Sequence, residues 1–218
     1  MANGDAFEDA VRLSRENPNL DVGCHAVLVQ GRSVATGKSL PETPRQLVVA
    51  LARGKIDPYK EIRSQVLKII DAGLRPIHID SHKHTHLHPR VFAAIVRVAR
   101  EFEIPWLRLP FDRTTRLGVS VCAVYRRFAR SLKATDYFTG FALTGRLNEE
   151  TLAAALAGLR DGTTEFMCHP GVLGDELRTA PTRLKESRAR ELEALTSPRI
   201  RTLLEQHGIE VVRFRDLP

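Results

Sequence analysis

Cysteine is scarce in this sequence, and its spacing excludes the small frameworks that are usually built on it. Only three cysteines occur among the 218 residues, at Cys24, Cys122 and Cys168. None forms a CxxC pair, so neither a zinc ribbon nor a disulfide network is predicted. Cys24 and Cys168 each directly precede a histidine, and neighbouring residues of a strand point to opposite faces. We therefore expect these two thiols to be small core residues behind the histidines.

Long apolar runs and targeting signals are also missing. No stretch approaches the roughly 20 apolar residues that a membrane span requires. The N-terminal segment MANGDAFEDA has neither the basic nor the apolar region of a signal peptide. We therefore expect a cytoplasmic protein without a membrane span.

The charge balance is basic, with a net charge of +7. Such a charge could attract nucleic acid, but the arginines are scattered along predicted helices. No interleaved aromatic residues and no known binding motif accompany them, so no nucleic-acid partner is expected. A hydrophobic content of 43% with 27% charged residues is typical of a folded globular protein and not of a disordered one.

Predicted strands alternate with predicted helices along the chain. The strands are expected at 20–29, 76–82, 104–110, 164–171 and 209–214. The helices are expected at 5–16, 47–54, 57–71, 89–101, 119–133 and 147–162, with one or two further helices over 182–206. This order favours an α/β fold with a mainly parallel sheet, either open or closed into a barrel. In both arrangements, sites form at the carboxyl ends of the strands. Because no linker or repeat interrupts the pattern, residues 1–218 are predicted to form one domain.

Four of the eight histidines lie in one short segment, IDSHKHTHLHP. If this segment is extended, Asp80, His82, His84 and His86 share one face, with successive residues about 6.5–7 Å apart. Two imidazoles, or one imidazole and the carboxylate, could then bind one cation. The remaining side chains would orient the ligands from behind. The alternative is a solvated surface run, but an apolar strand precedes the segment and a proline begins the next helix.

Other candidate residues lie near the ends of other predicted strands. His25 is either a core residue or a partner of His82 across neighbouring parallel strands. His169 precedes a Pro-Gly turn that would expose it, and an exposed histidine can act as a general acid. Arg108 could orient a carboxylate, bind substrate or simply lie at the surface.

The segments VGCHAVLVQG, PIHIDSHKHTHLHP, WLRLP and TEFMCHPG together resemble the YdjC-like family of chitooligosaccharide and hopanoid-biosynthesis-associated deacetylases. The resemblance covers nearly the whole chain and implies a distorted TIM-like (β/α) barrel. It also implies a divalent metal, Mg²⁺ or Zn²⁺, bound by His25 and His82, and it matches His169 and Arg108 to the family's catalytic positions. The implied reaction removes an acetyl group from an N-acetylated carbohydrate, either an amino-sugar oligomer or a glycolipid.

One departure from the family concerns the start of the chain. Family members begin with a strand that carries an NADDFG-type motif, whose aspartates supply a metal ligand and a catalytic base. This motif is absent here, and no strand precedes the helix predicted at 5–16. We therefore expect a barrel that lacks its first strand and helix, roughly 35–45 residues. The sheet edge left unpaired would allow association into a homo-oligomer.

Three classes of function follow from these observations. A carbohydrate deacetylase is favoured by the motifs, with a small carbohydrate as substrate. A metal- or sugar-binding protein without activity is the second, because the aspartate pair is missing. Another metal-dependent hydrolase, such as a phosphoesterase, is the third, because histidine-rich strand ends also suit that chemistry.

Overall fold

A computed structural model describes residues 1–111, 116–180 and 182–218, together with the side chains of all of these except 116–119. The chain divides into two compact units. The first unit contains Met1–Leu109, Ala123–Ala134 and Val212–Pro218, and the second contains Pro110–Cys122 and Thr135–Val211. The single domain over 1–218 stays a prediction.

The first unit contains a three-stranded parallel sheet in the order β1-β2-β3. Its strands are β1 (Cys24–Ala26), β2 (His78–Ser81) and β3 (Trp106–Leu107). Ile79 lies opposite Cys24 on one side and Leu107 on the other. Because the strands are parallel, their carboxyl ends lie at one edge of this sheet, which is where ligands bind in open α/β sheets.

In the described part of the chain, five helices belong wholly or partly to this unit. The bounds are α1 (Phe7–Glu16), α2 (Pro44–Ala52), α3 (Pro58–Asp71), α4 (Pro89–Glu101) and α5 (Arg116–Phe128), of which the last belongs to this unit only from Ala123 onward. Capping residues mark the starts of three of them, α2, α3 and α4. Asp57 accepts hydrogen bonds from the first free N–H groups of α3, and proline follows it. His88 caps α4 in the same way through its ring. Apolar faces of α3 and α4 then pack on each other.

The second unit contains a two-stranded parallel sheet of β4 (Tyr137–Thr139) and β5 (Thr164–Phe166). Its helices are α6 (Glu149–Ala157), α7 (Asp175–Thr179), α8 (Glu186–Thr196) and α9 (Pro198–Gln206). Its core consists of buried apolar side chains, namely Leu147, Leu152, Leu156, Ala194 and Ile200. At the end of β4, Gly140 has φ +97 and approaches the backbone of Met167 so closely that a Cβ would overlap it.

Short 3₁₀ turns at His82–Leu87, Phe141–Leu143 and Phe214–Asp216 complete the description. The strand predicted at 209–214 is wrong, because these residues form no strand. The side chain and backbone N–H of Arg215 bind the Asp21 carboxylate instead, which holds this segment by side-chain contacts and not by a ladder.

The α/β class with parallel strands is confirmed, whereas a barrel is not: among the described residues the sheets have three and two strands, and neither is closed. No helix among these residues is long and apolar enough to cross a membrane.

Candidate functional site

His25 and Asp80 meet because of the register of β1 and β2. The two residues lie opposite each other in the parallel pair, so their side chains leave the same face of the sheet. His25 Nδ1 lies 2.8 Å from Asp80 Oδ1. An ionised carboxylate can only accept, so Nδ1 donates the hydrogen. A neutral His25 therefore carries its lone pair on Nε2, the atom that binds metals or accepts protons.

Arg108 completes this group from β3. It follows the strand directly, and its guanidinium forms an ion pair with the second carboxylate oxygen of Asp80. Only 13% of the Arg108 side chain and 6% of the Asp80 side chain are exposed. Burial alone raises the pKa of Asp80, but the hydrogen bond from His25 and the charges of His25 and Arg108 lower that pKa well below its usual range. Asp80 is thus an ionised, orienting carboxylate at neutral pH.

His82 lies beside His25, immediately after β2. The two ring centroids are 5.6 Å apart, with the ring planes at 75°. His82 Nε2 lies 3.2 Å from Gln30 Oε1. Gln30 is a residue that the sequence did not single out, because glutamine carries no chemistry that marks it as a site residue. Its only signal was the neighbouring Gly31, which indicates a turn.

The extended conformation predicted for the histidine segment is wrong beyond Ser81. Residues His82–Leu87 form a 3₁₀ turn in which Lys83 has φ 52 and His84 has φ 49. The turn forms because Ser81 Oγ accepts the backbone N–H of His86 at 3.0 Å. The histidines at 82, 84 and 86 therefore do not alternate along one strand face.

His86 is the most deeply buried of these histidines, with no exposed surface. Its Nδ1 lies 2.5 Å from Ser81 Oγ, and its ring centroid lies 5.8 Å from that of His84. Burial, and then the nearby His84, lower the pKa of His86 to about 3. His86 is consequently a neutral core residue, and its roles as supporting residue or alternative ligand, like that of His84, stay predictions.

His169 lies in the second unit, after β5. Its backbone N–H donates to a carboxylate oxygen of Glu191 at 2.5 Å. Glu191 projects from α8 and is 1% exposed, so this carboxylate fixes the backbone at the strand end. The sequence did not indicate Glu191, because a glutamate within a charged helix is usually solvated. The role of His169 as general acid stays a prediction.

The implied metal can be tested against the donors that come together. Among the described residues, no group of three or more histidine, cysteine, aspartate or glutamate side chains could hold a metal ion. His25 and His82 fit as a pair of imidazole ligands, because each has a hydrogen-bonding partner that orients its ring. Asp80 is engaged by His25 and Arg108. If a metal binds here, the described side chains would supply two of the four or more ligands that Zn²⁺ or Mg²⁺ requires.

Comparisons with known proteins agree with the motifs. The chain is 31% identical over 223 residues to a carbohydrate deacetylase of Geobacillus stearothermophilus, covering 99% of this chain and 84% of the relative. It is 30% identical over 227 residues to a chitooligosaccharide deacetylase of Yersinia enterocolitica, covering 99% of this chain and 85% of the relative.

A solved structure shows the same fold. This is the crystal structure of a candidate cellobiose-phosphate cleavage protein from Enterococcus faecalis V583, which superposes with a TM-score of 0.78. It is 21% identical to this chain, and the match covers 99% of this chain and 85% of the other. The family model described as YdjC-like protein matches residues 1–206. The chain therefore belongs to the YdjC-like protein family.

Proposed function

We propose that this chain is a carbohydrate deacetylase, which hydrolyses the acetamide of an N-acetylated amino sugar. The relatives named as carbohydrate deacetylases match nearly all of this chain, and it spans 84% to 86% of their length. The observation that carries the proposal is the junction of three parallel strands, where Arg108, Asp80 and His25 form a chain of contacts beside His82.

The contacts give each of these residues a chemical task. His25 and Arg108 together keep Asp80 ionised, and the ion pair with Arg108 fixes the direction of its carboxylate. Asp80 accepts a hydrogen bond from Nδ1 of His25, which leaves the Nε2 lone pair of that ring for a metal or for a proton from water. The His25 side chain remains 33% exposed, so water and substrate can reach it. The same ring thus suits ligation or proton transfer.

A divalent metal, Mg²⁺ or Zn²⁺, belongs to this proposal, with His25 and His82 as two of its ligands. When bound, such an ion polarises the acetamide carbonyl and lowers the pKa of a bound water. The remaining ligands would be water, substrate or donors other than the described side chains. Adding and chelating metal in the assay tests this part separately.

His169 is proposed to protonate the departing amine. A histidine serves as a general acid near neutral pH because its usual pKa is close to that pH. Glu191 would support this role by holding the His169 backbone N–H through a buried carboxylate. The substitution His169→Gln should then slow acetate release and leave the folded state intact.

The number of protein ligands favours one alternative, a metal- or sugar-binding protein without turnover. Two histidines without a third protein donor among the described residues can bind a cation weakly and still fail to activate water. In that case, calorimetric titration would detect binding of Zn²⁺ or of a chitooligosaccharide, while no acetate is released.

The deciding assay measures acetate release from N-acetylglucosamine oligomers, with and without added Mg²⁺ or Zn²⁺. Phosphate release from a sugar phosphate is followed in parallel, as the test of phosphoesterase chemistry. We expect acetate release that depends on added metal and is lost with a chelator. Phosphate release without acetate release, or binding without either product, would overturn the proposal.

A further inference from the structure

Left-handed backbone is concentrated around His82. Among the described residues, four that are not glycine have a clearly positive φ: Gln30, Lys83, His84 and Glu103. Two of these directly follow His82 in its turn, and a third contacts the His82 ring. Side chains disfavour this conformation, so it persists only where the surrounding structure imposes it.

The turn is held by a buried pair, Ser81 and His86. Ser81 is 1% exposed and His86 is fully buried. Ser81 Oγ accepts the N–H of His86 and lies 2.5 Å from His86 Nδ1, to which it can donate its own hydrogen. With this donation a neutral His86 accepts at Nδ1 and carries its hydrogen on Nε2. The two bonds close the turn across the left-handed residues and fix the backbone at His82.

Gln30 holds the ring of His82 from the neighbouring loop. Its backbone has φ 66 and is followed by Gly31 at φ 75. The Gln30 N–H donates to the carbonyl of Pro41 at 2.8 Å, which fixes this loop. Gln30 Oε1 then accepts from His82 Nε2 at 3.2 Å. The ring of His82 is thus fixed at Nε2, while its backbone is fixed by the Ser81–His86 pair.

We propose that Gln30, Ser81 and His86 are positioning residues that set the orientation and tautomer of His82. This inference rests on the proposed function for its catalytic consequence, but its structural part does not. Ser81 and His86 are too buried to contact substrate, and their effect must pass through the turn. Misplacement of one reacting group by about 1 Å can cost roughly a hundredfold in rate, which gives such residues a measurable effect.

The first test is a long-range ¹H–¹⁵N NMR spectrum of the labelled full chain, which distinguishes the two imidazole tautomers. His86 is expected as the Nε2–H form, and His82 as a ring hydrogen-bonded at Nε2. Gln30→Met keeps the side-chain length, removes the amide and should shift the His82 nitrogen resonances. Gln30→Glu keeps an oxygen acceptor, so its His82 nitrogen resonances should stay close to those of the parent chain.

The second test compares acetate release by the same variants and by Ser81→Ala. We expect kcat to fall about tenfold or more for Gln30→Met and Ser81→Ala, with KM within about twofold of the parent. Gln30→Glu should recover most of the lost kcat. If Ser81→Ala does not fold, the kcat values of the two Gln30 variants decide whether the positioning role is correct.

The outcomes separate the two proposals. An Nδ1–H tautomer at His86, or His82 resonances unchanged by Gln30→Met, would overturn the positioning role. A parent chain that releases no acetate would overturn the deacetylase proposal, while the NMR spectra would still decide the positioning role.

Discussion

Asp80 is the point at which the charges of the site converge. Its carboxylate binds His25 through one oxygen and Arg108 through the other. Removing two charges from water is costly, and their attraction offsets that cost only while both partners are present. His25, Asp80 and Arg108 therefore hold one another in place, and removal of one of the two charges should destabilise the fold.

Replacing Asp80 with asparagine tests this coupling. Asp80→Asn keeps the shape but leaves the guanidinium of Arg108 buried without a counter-charge, so the free energy of unfolding should fall by about 3–5 kcal/mol. Urea unfolding measures the change. The double variant Asp80→Asn/Arg108→Met removes both charges and should be more stable than the sum of the single effects. Additive losses would show that the two side chains are not coupled.

His86 should give the folded state a characteristic pH dependence. Burial lowers its pKa from 6.5 to about 3, so the unfolded chain takes up a proton first as the pH falls. The free energy of unfolding is therefore expected to decrease below about pH 6.5, where the unfolded ring becomes charged. His86→Gln should flatten this decrease between pH 6.5 and 4, as followed by urea unfolding. His207→Gln, at an exposed histidine, controls for the loss of one imidazole. An unchanged slope in His86→Gln would contradict a neutral buried ring.

Part of the site could be predicted from residue types, and part could not. His25, Asp80, His82 and Arg108 were identifiable because they are chemically active residues at predicted strand ends. Gln30 was not identifiable, because glutamine carries no chemistry that marks it as a site residue. The turn after Ser81 was not identifiable either, because its left-handed residues, Lys83 and His84, are not glycine.

Within the first unit, close contacts between elements limit what each position accepts. His78 on β2 packs against Phe214, with 4.6 Å between ring centroids. Gly23, just before β1, is adjacent to the same imidazole, and a Cβ there would overlap it. The imidazole is therefore enclosed between the two elements, and burial lowers its pKa.

Gly23→Ala is expected to destabilise the chain by about 1–3 kcal/mol, because the enclosed His78 ring has to move. Thermal unfolding measures the loss. Gly174→Ala is the matched control, since no atom of the described residues lies within 4 Å of a Cβ at that position. The pair Gly23→Ala/His78→Ala should recover part of the stability relative to the sum of its single changes. Equal melting temperatures for both glycine variants would refute the overlap.

Elements with strong end signals were predictable, and weakly marked ones were not. The bounds predicted for 57–71 and 89–101 agree with α3 and α4 to within one residue, because a cap and a proline mark each start. The short strand β4 was missed, because its three residues carry no clear alternation. The segment 209–214 has the composition of a strand, but instead of strand pairing the side chains of Arg213 and Arg215 bind Asn19 and Asp21.

At the scale of the whole molecule, the prediction of one domain implies that the two compact units unfold together. The chain has a single tryptophan, Trp106, which lies in the first unit and is 6% exposed. Its fluorescence therefore reports on that unit alone. Leu147 belongs to the core of the second unit and is 2% exposed. The second unit can therefore be perturbed at Leu147 while the first unit is observed through the fluorescence of Trp106.

Leu147→Ala should cost about 2–5 kcal/mol in the second unit, because it leaves a cavity in a packed core. If residues 1–218 form one cooperative domain, as predicted, this change lowers the urea midpoint of Trp106 fluorescence together with that of far-UV circular dichroism. Leu195→Ala, at a side chain that is 38% exposed, is the control. A Trp106 transition that stays in place while the circular dichroism shifts would show two independent units.

The most direct test of the proposed deacetylase site is the rate of acetate release from N-acetylglucosamine oligomers by the parent, His25→Gln, His82→Gln and His207→Gln. Removal of either site ring should lower kcat/KM by at least about a hundredfold, because each is a proposed ligand or proton acceptor. The exposed His207 variant should keep the parent rate. Parental rates in both His25→Gln and His82→Gln would contradict the assignment of the reaction to this group of strand ends.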